Sequence, residues 1–64
     1  MMRVNGLATL FIRKERAEMT AAAFKRSGHR IAEAVPAERM EADKSVSRGW
    51  AVRYREPLGA WQLA

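Results

Sequence analysis

Hydrophobic and polar positions alternate with a period of two over residues 49–55, where Trp50, Val52 and Tyr54 are interleaved with Ala51, Arg53 and Arg55. That period predicts a strand with one buried and one wet face. Glu56, Pro57, Leu58 and Gly59 follow as a turn, since proline pre-sets φ at its second position and glycine tolerates a left-handed exit. The return arm can pair in two ways. A three-residue loop sets Trp61 opposite Arg55 and Leu63 opposite Arg53, whereas a four-residue loop sets Trp61 opposite Tyr54 and Leu63 opposite Val52. The second register matches like with like and is the expected one. It puts Trp50, Val52, Tyr54, Trp61 and Leu63 on one apolar face and Arg53, Arg55 and Gln62 on the other. A lone hairpin is marginal in water, so that apolar face needs cover from the first 48 residues.

Residues 7–13, LATLFIR, form a compact apolar run entered from Asn5 and Gly6, and are expected to be a central strand. Leu10 and Ile12 would lie on one side, with Leu7 and Phe11 on the other, either under a helix or at a partner surface or dimer seam. Residues 15–27 carry helical signals: an alanine-rich middle, Ala17, Ala21 and Phe24 at helical spacing, Lys25 and Arg26 late, and Gly28 where a cap would sit. The competing picture is a long excursion between strands, because nucleating a short helix is costly. Residues 29–35 read as a strand stopped by Pro36. Pro36 then stands at the first position of a helix over 37–44, where its missing donor costs nothing. In that helix Glu38 and Glu41 sit near the positive end and Lys44 near the negative end. Ala37 and Met40 offer a narrow stripe for the hairpin's aromatic face. The expected fold is α+β: a small antiparallel sheet of three or four strands packed on one helix, with a second short helix at 15–27.

Length changes the picture. The 64 residues suit a single domain, 1–64, near the lower limit for a chain without a staple. Cysteine is absent and His29 is the sole histidine, which excludes a disulfide framework and argues against a structural zinc site. Self-association is the remaining source of buried area, so a homodimer is open. No bilayer-spanning run or signal peptide is visible, and a cytoplasmic location is expected.

The net charge of +5 is unevenly spread. Residues 3–30 hold seven Arg or Lys against two Glu, residues 31–45 two against four acids, and residues 46–64 three against one. Nine of the twelve basic residues are arginine, a composition suited to bidentate contacts with phosphate or carboxylate and also to a GC-rich genome. Groups for catalysis are few. His29 is flanked by Gly28 and Arg30 in a loop, and Glu38 and Glu41 lie one helical turn apart on what a solvated face would explain. No metal-ligand spacing or phosphate-cradling glycine loop appears. A non-enzymatic binding protein without cofactor or metal is therefore expected. Arg53 and Arg55 on the wet face of the hairpin, with Arg13 at the end of the first strand, would make a basic stripe for phosphate or an acidic protein surface. The expected register sets Trp50, Tyr54 and Trp61 on the opposite face, which reads as core rather than as a stacking platform for bases.

Ala37, Glu38, Arg39 and Met40, then eight residues to Gly49, nine more to Gly59, and Trp61 close behind, resemble the helix-and-hairpin half of a small phage inhibitor of type I-F CRISPR-Cas systems. Phe11 to Glu15 resembles that family's first strand, so the likeness spans about two-thirds of the chain, leaving out residues 16–28. It implies a curved antiparallel sheet on one helix, no enzymatic activity, and attachment to Cas proteins of a Cascade surveillance complex at surfaces that receive target DNA. The family's basic helix surface is matched only by Arg39, with Glu38 and Asp43 where lysines are expected. The partner-binding residues expected are Arg53, Arg55, Arg13 and Arg39. The alternatives are a small basic nucleic-acid-binding protein and a dimeric, antitoxin-like interaction module joined through Leu7 and Phe11.

Overall fold

The computed structural model describes every residue except Leu7, His29 and Arg30. Four strands and one helix follow in the order β1 (Met2–Val4), α1 (Lys14–Arg26), β2 (Ile31–Met40), β3 (Val46–Arg55) and β4 (Gln62–Leu63). The sheet order is β1-β2-β3-β4. β1 runs parallel to β2, and the other two pairings are antiparallel. The α+β class with one helix on a four-stranded sheet is as expected; the parallel edge strand is an addition.

The long β2–β3 hairpin is the frame. Trp50 turns its N–H and C=O away from β2, exchanging both backbone bonds with Phe11 at 2.7 Å. Its cross-strand neighbour Pro36 must then face the opposite edge of β2, because paired residues in an antiparallel ladder alternate between bonding each other and bonding outward. Proline is tolerated there because no donor is needed on that edge. Alternation also sorts the side chains. Ala32, Ala34, Trp50, Val52 and Tyr54 share one face, and Ile31, Glu33, Val35, Ala37, Ala51, Arg53 and Arg55 the other.

Helix α1 covers the first face. Ala17 and Ala21 are buried against Ala32 and Val52, ringed by Phe11, Phe24, Trp50 and Tyr54, and Phe24 stacks on Tyr54 at 4.6 Å between centroids. Small residues on both sides let the helix lie close to the sheet. The segment between β1 and α1 crosses one end of the second face, where Ala8 and Leu10 pack on Val4, Ala37 and Ala51. Gly49 makes that crossing possible: a Cβ there would overlap the carbonyl oxygen of Phe11 and lie 3.3 Å from Leu10 Cγ. The other end of this second face is left open.

Several expectations are corrected. The helix at 15–27 forms, as α1, but the helix expected over 37–44 does not. Residues 37–40 close strand β2, and residues 41–45 make a turn in which Lys44 adopts φ 69°. Asp43 fixes that turn by accepting from the Ser45 amide at 2.9 Å and hydroxyl at 2.6 Å, an aspartate turn that competes with helix. Over its described residues 8–13 the apolar run is a crossing segment rather than a central strand: Phe11 makes one isolated bridge and Ile12 is 84% exposed. Leu7 lies outside the described residues. The hairpin turn forms, with the Gly59 amide donating to the Glu56 carbonyl at 2.9 Å. Its register is the other one, however, setting Leu63 against Arg53 and Gln62 against Tyr54.

Candidate functional site

That register moves Trp61 and Leu63 to the open face, beside the two arginines. The Arg53 guanidinium stands 4.3 Å, and that of Arg55 5.1 Å, from the Trp61 ring centroid. Two cations over one ring explain why this register is stable: the contact between guanidinium and ring replaces the apolar pairing that the sequence suggested. Trp61 and Leu63 are 41% and 39% exposed, and Ile31 at the start of β2 is 40% exposed. A patch of three apolar side chains interleaved with Arg53, Arg55 and Glu33 results.

The arginines of this patch are held in place. Arg53 donates from Nε to Glu33 Oε1 at 2.6 Å and pairs with the same carboxylate through Nη2. Arg55 donates from Nη1 to the Pro57 carbonyl at 2.9 Å, which ties it to the turn. Cross-strand ion pairing and turn closure leave these side chains little rotamer freedom, so less is lost when a partner docks. Behind the patch, Tyr54 donates its hydroxyl to Gln62 Oε1 at 3.2 Å, fixing β4 from the helix side.

The other two expected residues lie elsewhere. Arg13 is the exposed residue that precedes α1 and makes no side-chain cap. Arg39 is a structural tether at the far end of β2: its Nη1 donates to the Ala8 carbonyl and its Nε to Glu41 Oε1, both at 2.9 Å. Those bonds hold the crossing segment down and occupy the guanidinium. His29 lies outside the described residues. Among the described residues no cluster of His, Cys, Asp or Glu could hold a metal ion, and no helix is long and apolar enough to cross a membrane.

Two carboxylates in the β2–β3 turn have lowered pKa values. Glu41 is lowered chiefly by a hydrogen bond from Ser47, then by Arg39, and Asp43 by the side-chain and backbone donors of Ser45. Both belong to the turn, not to the patch.

No protein-family model, curated protein or solved structure matches the chain. The residue that sequence reasoning missed is Trp61, assigned to the core. The available signal was the rejected register itself, which already set Trp61 against Arg55.

Proposed function

We propose that the protein is a non-enzymatic binding module that engages a protein partner through the open face around Arg53, Trp61 and Arg55. The observation that carries this reading is the half-exposed tryptophan held between two anchored arginines. Tryptophan and arginine dominate interaction hot spots because they combine large contact area with fixed polar forks. Arg53 is already neutralised by Glu33, which suits a partner surface of mixed charge better than a phosphate track. The partner class to try first is a Cas subunit of a type I surveillance complex, with binding that blocks target DNA recognition in the cytoplasm of a bacterial host. That choice rests on the spacing resemblance. Residues 37–40 are strand, Phe11 makes only an isolated bridge and Lys14 already begins α1, so it now leans on the spacing of the hairpin alone.

A second reading is single-stranded nucleic acid, favoured by one observation: an aromatic ring beside two arginines on an open sheet face is how bases are stacked and their backbone neutralised. Titration of the protein against a purified type I surveillance complex and against a single-stranded oligonucleotide separates the two. Saturable binding to the complex, lost in a folded Arg53→Glu/Arg55→Glu variant, is expected, together with restored phage plaquing on a host whose type I system is active. Binding to the oligonucleotide alone, with a steep fall as salt rises, would transfer the function to the second reading.

A further inference from the structure

The outer edge of β2 is unpaired over much of its length. β1 meets β2 only at Ala37, Glu38 and Arg39, and no other described strand lies on that side. By the alternation that turns Pro36 outward, Ala32 and Ala34 also present their N–H and C=O groups there. Beside this edge, α1 and β2 bound a groove of about 340 Å³ lined by Glu18, Ala21, Ala22, Lys25, Ala32 and Ala34 among others.

We propose that this edge joins two copies of the chain, β2 against β2, antiparallel about a two-fold axis, in one continuous sheet. Ala32 of one copy would exchange both backbone bonds with Ala34 of the second, and the reverse, with the axis passing at Glu33. Pro36 ends the new ladder, since it has no donor to offer, and β1 blocks it beyond residue 37.

Two features make a second copy fit. Helix α1 packs on both β2 and β3; an axis midway between them would lie about half a strand spacing inside β2, while the two-fold axis lies about half a spacing outside. The two helices would then run antiparallel about 10 Å apart, within the packing range for helices with small residues at the contact. Ala22 supplies that small residue. Charge is complementary in the same arrangement. Glu18 and Lys25 are two helical turns apart on the groove side, and the two-fold axis brings Glu18 of each copy to Lys25 of the other. Lys25 has no ion-pair partner among the described residues, and Glu18 has only Lys14 at 3.7 Å. In the joined sheet the two Arg53–Glu33 pairs would meet at the axis, and the open faces with Trp61 would lie on one continuous surface.

The test reads mass and cross-linking, and so is independent of any partner. Sedimentation of the full chain over a concentration series should give twice the 7.2 kDa chain mass. Lys25→Glu should weaken self-association about tenfold by setting Glu18 against a like charge, and Glu18→Lys/Lys25→Glu should restore it. The chain has no cysteine, so Glu33→Cys places a single thiol at the axis. Oxidation should join two chains through it, since directly opposed strand residues fall within disulfide reach. A monomer at all concentrations up to the order of 1 mM would overturn the proposal and leave the edge to a different occupant. So would a dimer that tolerates Lys25→Glu and does not cross-link at residue 33.

Discussion

The Arg53 guanidinium lies 4.3 Å from the Trp61 ring centroid while its Nε donates to Glu33 at 2.6 Å, so one side chain ties β2, β3 and the approach to β4 together. Trp61 is thus a surface anchor. A buried tryptophan replaced by alanine costs about 3 to 5 kcal/mol. For this half-exposed ring, a cation–π contact and partial burial together contribute about 1 to 2 kcal/mol.

Trp61→Ala should therefore fold, with a modestly lowered denaturant midpoint and loosened β4 amides. A double-mutant cycle with Arg53→Met should return most of the loss as coupling between the two residues. A Trp61→Ala chain that is wholly unfolded would place the ring in the core after all.

Gly49→Ala should be more damaging than an ordinary surface glycine change. The added methyl meets the Phe11 carbonyl and crowds Leu10 Cγ at 3.3 Å, and backbone atoms yield less readily than side-chain ends. Overpacking of this kind costs about 1 to 3 kcal/mol. The local readout is hydrogen exchange at the amides of Phe11 and Trp50, which bond each other's carbonyls at 2.7 Å. Unchanged protection at both amides would mean that the crossing segment does not press on Gly49.

These sites also show where the sequence was legible. Period-two alternation at Trp50, Val52 and Tyr54 was enough to place β3, and the turn chemistry of Pro57 and Gly59 was enough to place the bend. Lys25, Arg26 and Gly28 marked the end of α1 because helix ends are governed by local electrostatics and backbone freedom. Residues 37–40 misled because alanine, glutamate, arginine and methionine favour helix locally. Pro36, which suits a first helical turn, suits an outer strand edge equally well. Tertiary pairing with β1 and β3 decided the matter. The register misled because apolar matching was weighed without the attraction of two guanidiniums for one indole ring.

The β2–β3 turn should carry an acid-sensitive element. Ser47, then Arg39, stabilise the charged form of Glu41, and Ser45 does the same for Asp43, so both folded pKa values lie below the ordinary ones. A lowered folded pKa contributes stability that is fully present above the ordinary carboxylate range, about pH 4 to 4.5. It is lost as pH falls through the folded values. The Ser45 amide resonance should titrate with a midpoint below the ordinary aspartate value, and Asp43→Asn should remove that step. A Ser45 midpoint above the ordinary range would reverse the sign of the argument.

Arg39 separates structure from recognition. Its guanidinium holds the Ala8 carbonyl and the Glu41 carboxylate, both at 2.9 Å, and the side chain is partly buried. Arg39→Met keeps the aliphatic stem and its packing but removes the charge-assisted bonds, which contribute about 1 to 3 kcal/mol. The variant should be less stable and should release the segment around Ala8. Arg39 and Glu33, which holds Arg53 from across the β2–β3 ladder, lie on β2 about 20 Å apart by strand rise, so affinity through the Trp61 face should hold at temperatures where the variant is folded. Arg55→Met should behave in the opposite way, with stability nearly kept and partner affinity reduced. If Arg39→Met proves as stable as the wild type yet binds its partner poorly, Arg39 is a contact residue, and the recognition surface extends to the far end of the sheet.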